Sequence, residues 1–557
     1  MTTLALLSAR PEQARLNREN GWWRDETFLD DLAAWVRVRP DAPAFVTGRS
    51  REGTVRTVTY KEYDQQVRRV AAGLYDLGVR TGDVVAFQLP DWWETAAMFL
   101  ACMRVGAIAQ PMVPELRGRE IERVLGRTSA RICVIIDEWA GFDHSAALQE
   151  MAYRLPHLRH RVVYGDSART GALDFHRDLV NDHRDDDLSM LPPLDPDRAC
   201  LVLFTSGSTG EAKGVLHSSN TIYAGSRGMT DATTSLAPGV DRAAATLKIS
   251  HIAGPLWMLF GTLLSGGAAV FQDMFDADEL LDLMEAAGVT RLLSTPPKLA
   301  ALLDAQRRRG RPIESLHTVC AGGTTIPPDL VPQVRDVFDV PLRSVWGMTE
   351  IVVGTVVGQD DPEDWSAHSD GRALPGLELR VVTPDGGPGA GSLQVRGASL
   401  CLGTVTKDIG DVTPPTDTED GWFDTGDLAR EDGRGGIRIV GRTADRIYDP
   451  SANFMIPVRD LEDELMRHPL VHDVAIVACR MTAEDGAPED VLAVVVPAGD
   501  RRPTLPELCA HLDECGMTSW YHPTRLEFQD SLPRDPLGKI RKYQLRDHYD
   551  ALVLAAG

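Results

Sequence analysis

Short apolar runs alternate with amphipathic stretches of helical length through most of the first 440 residues of this 557-residue chain. The runs Cys200–Phe204 and Ser392–Arg396 have the pattern of strands, and their alternation with helical segments predicts a layered α/β fold. After residue 442 the pattern becomes that of a short α/β unit. There we expect a helix at Asp460–Arg467 and strands near Val474–Val477 and Val491–Val496.

One apolar segment, Ile252–Phe271, is almost free of charge and approaches the length of a membrane span. Because Gly254-Pro255 and Ser265–Gly267 interrupt it, it predicts a buried helix, a turn and a strand, with no membrane span. The N-terminal apolar run Leu4–Leu7 is too short for a signal peptide and has no basic residue before it. We therefore expect a soluble, cytoplasmic protein.

The composition is that of a globular enzyme, with 43% hydrophobic and 25% charged residues. A formal net charge of −23 argues against nucleic-acid binding, because phosphate backbones recruit basic surfaces. The eight cysteines include no Cys-x-x-Cys pair, so neither a zinc site nor a disulfide framework is expected. A chain of this length exceeds one ordinary core and predicts two or more packed units.

Three polar or glycine-rich segments resemble sites but have simpler interpretations. Asn181–Asp187 is a charge run with a histidine, which we interpret as a solvated connector rather than a metal cluster. Asp385–Gly391 has the glycine content of a dinucleotide loop, but a strand rather than a helix follows it, so it predicts a turn. Glu431–Gly436 likewise predicts a hairpin turn.

The segment Thr205–Gly214 carries the strongest chemical signal and directly follows the predicted strand Cys200–Phe204. Glycine, serine and threonine dominate it, so backbone N–H groups and hydroxyls can approach an anion closely. It is not a Walker A loop, because Lys213 stands three residues beyond Gly210 rather than next to it. Only seven of the 58 basic residues are lysines, which favours a nucleotide-phosphate loop over a flexible surface loop.

This loop resembles the signature of the AMP-forming adenylating enzymes, the superfamily of acyl-CoA synthetases, nonribosomal-peptide adenylation domains and luciferases. Further segments resemble that family's other motifs and follow in its order: Val345–Glu350, Gly421–Asp427, Gly441–Asp445 and Leu532–Ile540. Five motifs in the family's order are very unlikely to arise by chance. The resemblance covers nearly the whole chain.

The resemblance implies a fold as well as a chemistry. Residues 1–441 would form a large N-terminal domain of two αβ sheets plus a distorted β-barrel, which binds ATP and the substrate. Residues 442–557 would form a small mobile C-terminal α/β domain that carries a catalytic lysine loop. Asp445 would belong to the hinge between the two domains.

The resemblance also implies how ATP is bound. Trp346, where the family usually has tyrosine, would lie near the adenine, and Asp427 would accept hydrogen bonds from the ribose hydroxyls with the assistance of Arg442. The loop would hold the pyrophosphate end of ATP through these residues: Thr205, Ser206, Gly207, Ser208, Thr209, Gly210 and Lys213.

For the reaction itself, the family positions imply four catalytic residues. Thr349 would contact the α-phosphate and Glu350 would ligate Mg²⁺, which neutralises phosphate charge. Lys539 would lie between the attacking oxyanion and the α-phosphate, where a compact ammonium suits the developing charge. His251 would lie near the acyl end of the substrate.

The substrate pocket is implied in the same way, and its glycines suit a flat or aromatic group. Besides His251, its wall would include the following residues: Ala321, Gly322, Gly323, Gly347 and Met348.

One segment departs from the family pattern. Acyl-CoA ligases usually carry a glycine-rich turn before a run that resembles Ile456–Glu462, whereas here the turn Asp449–Met455 has no glycine and is longer. In the family that turn lines the channel for the pantetheine thiol. Side chains there predict either an obstructed channel or a loop that bows away from it.

Three hypotheses follow. The first is a ligase that joins an aryl or cyclic carboxylate to coenzyme A. The second keeps the adenylation but changes the acceptor, as in an ATP- and nitrite-dependent diazotase of an amino-aryl acid, or a transfer to a carrier protein or an amine. The third, a non-enzymatic binding relative, is disfavoured because Lys213, Glu350, Asp427 and Lys539 are all present.

Overall fold

The protein is described from a computed structural model. It covers residues 3–556 with these gaps: 182–187, 190, 192, 207–211, 324–325, 384–390, 407–410, 417–419, 443–446, 450–453, 457, 483–488, 534–539 and 541. The chain divides into two compact units. Unit 1 comprises Met1–Pro114, Glu122–Phe204 and Gly214–Val440, and unit 2 comprises Glu115–Ile121, Thr205–Lys213 and Gly441–Gly557. The boundary at 441/442 and the mobility of a small domain stay predictions.

The first sheet has nine strands among the described residues and a parallel centre. Its outer strands pair antiparallel at both edges. In spatial order the strands are Arg372–Ala373, Thr355–Val356, Leu342–Trp346, Thr318–Gly322, Arg291–Ser294, Arg242–Ala245, Ala268–Gln272, Pro43–Arg49 and Thr54–Thr59. The central strands are buried along their length, as expected for parallel strands covered on both faces.

The second sheet also has nine strands within the described part of the chain. In spatial order they are Val412–Thr413, Gly403–Val405, Ala212–Ser218, Ala199–Ser206, Ile108–Pro111, Val84–Gln88, Ile132–Ile136, His160–Tyr164 and Leu173–Asp174. The strand predicted at Cys200–Phe204 is confirmed within Ala199–Ser206. A separate two-stranded hairpin pairs Glu138–Trp139 with Phe142–Asp143.

The third sheet is four-stranded and corresponds to the predicted distorted β-barrel. Its strands are Leu377–Val382, Gly391–Gly397, Phe423–Glu431 and Ile437–Arg442. The predictions of a strand at Ser392–Arg396 and a turn at Glu431–Gly436 are confirmed, and the Asp432 N–H donates to the Gly436 carbonyl at 3.0 Å to close the turn. Most of the predicted turn Asp385–Gly391 lies outside the described residues, as does most of the charge run Asn181–Asp187.

Helices cover the sheets of unit 1. The α-helices are Pro11–Glu19, Phe28–Val38, Tyr60–Asp76, Trp93–Arg104, Gly118–Thr128 (shared with unit 2), His144–Met151, Ser219–Thr233, Gly261–Ser265, Ala277–Ala287, Pro296–Arg309 and Leu330–Phe338. Short 3₁₀ or π segments are Thr3–Leu6, Ala152–Arg154, Ala168–Thr170, Phe175–Val180, Pro255–Phe260 and Trp365–Ala367. Their apolar faces form buried clusters against the sheets.

The apolar segment Ile252–Phe271 folds as its glycines predict. Two short helices, Pro255–Phe260 and Gly261–Ser265, end at Gly266, which has φ +65° and begins the turn into the buried strand Ala268–Gln272. A left-handed φ is readily available only to glycine, so the turn falls where Gly266 stands. Among the described residues, no helix is both long enough and apolar enough to cross a membrane.

The C-terminal part of unit 2 is a short α/β structure, as predicted. Its strands are Ile447–Asp449, Phe454–Ile456, Val471–Arg480, Glu489–Pro497 and Arg525–Phe528. Its helices are Val458–Leu465, Leu505–Glu514, Ser519–Tyr521 (3₁₀) and Lys542–Ala556. The helix predicted at Asp460–Arg467 begins two residues earlier and ends two residues earlier.

Candidate active site

The candidate site in unit 1 begins at the carboxyl ends of the parallel strands in the first sheet. Strand Leu342–Trp346 pairs with Thr318–Gly322, and Ala321 and Gly322 lie beside Ser344 and Val345 in register. The predicted pocket wall and the predicted ATP motif therefore lie next to each other at the edge of the sheet that the carboxyl ends of its strands form. Open α/β sheets usually bind ligands at this edge.

Gly322 has a backbone reason for being glycine. An added Cβ would lie 2.4 Å from the Val345 carbonyl oxygen on the neighbouring strand. Gly323 has φ +87° and is exposed, so it too occupies a conformation that favours glycine. These glycines are predicted to suit a flat substrate, and they are also required by strand packing at Gly322 and by the left-handed backbone at Gly323.

After Trp346 the chain reverses in a tight loop, residues 347–354, before the antiparallel strand Thr355–Val356. The Gly354 N–H donates to the Trp346 carbonyl at 2.9 Å, and the Ile351 N–H donates to the Met348 carbonyl at 3.1 Å. Thr349 and Glu350 are buried inside this loop, whereas Gly347 is exposed and Met348 half-buried. The reversal thus brings a hydroxyl and a carboxylate to the sheet edge.

Backbone strain lies two residues beyond Glu350. Val352 has φ +64°, although it is β-branched and its side chain is buried. Such a conformation is an outlier for a β-branched residue and persists only where the surroundings hold it. Gly347 makes room, because a Cβ there would lie 2.6 Å from the Val352 carbonyl oxygen.

Three consecutive carbonyl groups of the loop accept hydrogen bonds from outside it. His217 Nε2 lies 2.6 Å from the Thr349 carbonyl oxygen, the Cys401 N–H donates to Glu350 at 2.8 Å, and Ser399 Oγ donates to Ile351 at 2.8 Å. None of these three donors was predicted from the sequence. His217 carried a detectable signal, since it is a polar residue in an apolar strand four positions after Lys213.

His217 is fully buried near the end of strand Ala212–Ser218. Its Nδ1 lies 3.0 Å from Thr221 Oγ1, and Thr221 with Ser218 forms the capping box of helix Ser219–Thr233. Burial lowers the pKa of His217 to about 4, against the smaller opposing effects of the Thr349 carbonyl and the Glu350 charge. The imidazole is therefore neutral near pH 7.

Asp427 lies in strand Phe423–Glu431 and is 2% exposed. Trp346 Nε1 donates to its Oδ2 at 3.0 Å. The Asp427 N–H donates to Thr425 Oγ1 at 3.1 Å, and that hydroxyl donates to the Leu393 carbonyl at 2.7 Å. The side chain and backbone of Asp427 are therefore both fixed by buried partners, and the Trp346 ring packs against an apolar cluster at the third sheet.

His251 follows strand Arg242–Ala245 of the same first sheet, so it also lies beyond the carboxyl end of a parallel strand. Burial lowers the pKa of His251 to about 4, which keeps the ring neutral near pH 7. Its Nδ1 and the neighbouring Ser250 Oγ are buried atoms without a hydrogen-bond partner among the described residues. Buried polar atoms of this kind are expected to have partners, which a bound ligand or water would supply.

The remaining predicted residues are only partly described. Thr205 and Ser206 end strand Ala199–Ser206, and Lys213 lies half-buried in strand Ala212–Ser218. Arg442 ends strand Ile437–Arg442. Outside the described residues lie Gly207, Ser208, Thr209, Gly210, Asp445 and Lys539.

Known proteins resemble this chain over most of its length. Residues 32–404 match the family described as AMP-binding enzyme. The chain is 30% identical to the medium-chain fatty-acid–CoA ligase of Escherichia coli strain K12, over 95% of this chain and 91% of that protein. It is 31% identical to the salicyl-AMP ligase / salicyl-S-ArCP synthetase of Mycobacterium tuberculosis, over 95% of this chain and 92% of that protein.

Among solved structures, the apo structure of Mycobacterium smegmatis MbtA matches with a TM-score of 0.68 and 26% identity, over 98% of this chain and 100% of that one. The family match covers well over half of the chain, and the curated relatives cover nearly all of it. The chain belongs to the AMP-binding enzyme family and is an AMP-forming ligase of the acyl-CoA synthetase type.

Proposed function

We propose that the enzyme activates an aryl or cyclic carboxylic acid as its adenylate and then transfers the acyl group to coenzyme A. The observation that supports this proposal is that buried Thr349 and Glu350 follow the carboxyl end of a parallel strand, together with the bond from Trp346 that fixes Asp427. A hydroxyl, a hard carboxylate and an oriented second carboxylate are suited to a phosphate, Mg²⁺ and a ribose.

In the first half-reaction, a carboxylate oxygen attacks the α-phosphorus of ATP. The new O–P bond forms as the bond to the bridging oxygen breaks, and pyrophosphate leaves with the electron pair. No proton moves, because the substrate acid is already ionised. The obstacles are repulsion between the two anions and charge on the leaving group, so catalysis rests on alignment and electrostatics.

The residues that we assign to this step would meet the first of these obstacles. The Thr349 hydroxyl would donate to the α-phosphate, and Glu350 is the buried carboxylate that would hold Mg²⁺. The ion, when bound, neutralises charge on the phosphate oxygens. Lys539 would place a positive charge between the attacking oxygen and the α-phosphate.

We assign the rest of ATP to residues of the other motifs. Asp427 would accept from the ribose hydroxyls, and its bond from Trp346 is compatible with this because a carboxylate accepts several donors. Arg442 would assist there, and Trp346 would lie near the adenine. The loop from Thr205 to Lys213 would hold the departing pyrophosphate.

The acyl end is assigned to the pocket beside His251. A neutral imidazole and the adjacent Ser250 hydroxyl offer polar atoms that lack described partners. We expect the pocket wall to include Ala321 and Gly322 as well, at the carboxyl end of a parallel strand of the same sheet. The salicyl specificity in the name of one relative supports an aryl acid, while the other relative's name keeps medium-chain fatty acids as the alternative to test.

The second half-reaction depends on the turn at Asp449–Met455. Its ends form a hairpin in which Asp449 pairs with Phe454, while residues 450–453 lie outside the described part. Transfer to coenzyme A forms a thioester and releases AMP, with the thiol proton passing to solvent. A carrier-protein thiol is the second candidate acceptor, because one relative is named as an ArCP synthetase.

The test is ATP–pyrophosphate exchange across benzoates, cyclic acids and medium-chain fatty acids, followed by mass spectrometry of products. We expect exchange with an aryl or cyclic acid and a thioester when coenzyme A is added. An adenylate that accumulates regardless of coenzyme A rejects coenzyme A as acceptor, and a diazo product from an amino-aryl acid plus nitrite rejects the ligase assignment. Exchange restricted to fatty acids rejects the aryl assignment.

A further inference from the structure

The loop that carries Thr349 and Glu350 is held from outside at three successive carbonyl groups. The donors are His217 Nε2, the Cys401 N–H and Ser399 Oγ, and they belong to two chain segments far from the loop in sequence. We name these contacts the carbonyl clamp. All of its members are buried, so water does not readily replace a lost donor.

The clamp holds a conformation that the loop does not favour by itself. Val352, next to the last clamped carbonyl, has φ +64°, a strained conformation for a β-branched residue. Helix Ser219–Thr233 packs closely against the same residue, because an added Cβ on Gly225 would lie 2.9 Å from Val352 Cβ. Without external donors, the loop would relax toward a less strained backbone.

The chemistry of the clamp fixes the state of His217. The Thr349 carbonyl can only accept, so Nε2 carries the proton and Nδ1 is the unprotonated nitrogen of the neutral ring. Nδ1 lies 3.0 Å from the Thr221 hydroxyl, whose single proton is shared between Nδ1 and the Ser218 carbonyl, also 3.0 Å away. Thr221 is anchored in turn by the capping box with Ser218. The donor to Thr349 is thus held by the start of a helix rather than by a flexible side chain.

We infer that His217 is a positioning residue for adenylation, which holds the Thr349 carbonyl so that the Thr349 hydroxyl and the Glu350 carboxylate face the phosphates and Mg²⁺. This inference rests on the proposed function. Ser399 acts in the same way, more weakly, at Ile351. Neither residue is required to touch ATP.

The test compares His217→Phe, which keeps an aromatic ring without a donor, with His217→Gln, whose amide N–H can replace Nε2–H. We expect His217→Phe to lower kcat for pyrophosphate exchange by about 10- to 100-fold, as misplacement by about 1 Å does. The same variant should need a higher Mg²⁺ concentration for half-maximal rate. His217→Gln should restore most of the wild-type kcat and most of the wild-type Mg²⁺ dependence. Equal kcat and equal Mg²⁺ dependence in His217→Phe and wild type would overturn the inference.

A matched control separates positioning from loss of any buried hydrogen bond. Thr233 is buried at the end of helix Ser219–Thr233, and its Oγ1 donates to the Met229 carbonyl at 2.8 Å. This bond lies roughly 20 Å along the helix from the end that holds His217. Thr233→Val should keep the wild-type Mg²⁺ dependence. If Thr233→Val shifts the Mg²⁺ dependence as much as His217→Phe, general destabilisation explains both and the inference is wrong.

Hydrogen exchange provides a readout that does not depend on activity. We expect the amides of Ile351 and Gly354 to exchange faster in His217→Phe and, to a smaller extent, in Ser399→Ala. If His217→Phe does not fold, Ser399→Ala carries the test, and unchanged protection of residues 347–354 in it overturns the clamp. If the folded wild-type protein shows no ATP–pyrophosphate exchange with any acid tested, the proposed function is rejected. The hydrogen-exchange comparison still tests the clamp in that case.

Discussion

The indole Nε1 of Trp346 lies 3.0 Å from Oδ2 of Asp427, and this bond joins two motifs that are 81 residues apart. It connects the end of a parallel strand in the first sheet to a strand of the four-stranded third sheet. A tyrosine at position 346 would present a hydroxyl in place of the indole N–H. The tryptophan therefore orients the carboxylate that we assign to the ribose.

Asp427→Ala is expected to raise the Michaelis constant for ATP by about 10- to 100-fold, because hydrogen bonds to a charged group contribute roughly 1.5–3 kcal/mol. Ribose contacts persist from the ground state to the transition state, so kcat should change much less. Steady-state exchange kinetics measure both constants. An unchanged Michaelis constant for ATP would count against the ribose assignment.

Trp346→Phe tests the indole donor separately. An aromatic ring is kept while the hydrogen bond to Asp427 Oδ2 is lost. Because one such bond contributes roughly 1 kcal/mol, we expect the Michaelis constant for ATP to rise by only about fivefold. In the double variant with Asp427→Ala, the effect of Trp346→Phe should disappear, since its partner is absent. Additive effects would show that Trp346 acts independently of Asp427.

Lys539→Ala is expected to reduce adenylate formation by about 10²- to 10³-fold, the usual cost of losing one preorganised charge in a water-excluded site. Lys542 is a matched control, because it stands three residues further on and its Nζ lies 2.7 Å from Glu462. Lys542→Ala should keep the exchange rate much closer to wild type. Normal pyrophosphate release by Lys539→Ala would remove this lysine from the mechanism.

Gly225→Ala should destabilise the protein, although glycine-to-alanine changes inside helices usually stabilise by about 0.5–1 kcal/mol. The new Cβ would lie 2.9 Å from both Cβ and Cγ1 of Val352, and a buried β-branched side chain has no flexible end to move. Overpacking of this kind costs about 1–3 kcal/mol. Urea unfolding measures the change.

Gly228 of the same helix is the comparison for that experiment. Its added Cβ would meet Leu374 Cδ1 at 3.2 Å, so Gly228→Ala should cost less than Gly225→Ala. Equal or greater stability of Gly225→Ala relative to wild type would show that Val352 can adjust, which would also weaken the case for a strained loop.

The sequence predicted those features that have local signals. Strand Ala199–Ser206, the helix–turn–strand of Ile252–Phe271 and the C-terminal α/β unit follow from hydrophobic runs and interrupting glycines. The motifs at Val345–Glu350 and Gly421–Asp427 were found because each is contiguous. Such features can be predicted from local sequence patterns alone.

The contacts that organise the site lack such signals. His217 and the Thr349 carbonyl are 132 residues apart, and their bond arises only when two different sheets are assembled. The positive φ of Val352 cannot be read from its side chain, which normally disfavours it. Gly322 illustrates the converse, since the sequence suggested a substrate reason where the neighbouring Val345 carbonyl supplies a packing reason.

The stability of the protein should fall in mild acid, partly because of His217. Its pKa is lowered to about 4 in the folded protein, whereas an unfolded histidine titrates near pH 6.5, so the unfolded state binds an extra proton between these values. The contribution of this group is therefore complete above about pH 6.5 and is lost as the pH falls toward 4, to an extent on the order of 3 kcal/mol. His217→Gln cannot titrate, so its free energy of unfolding should depend less steeply on pH across this interval. Urea unfolding of both proteins between pH 8 and pH 4.5 measures the difference, and parallel pH curves would show that His217 is not held neutral by burial.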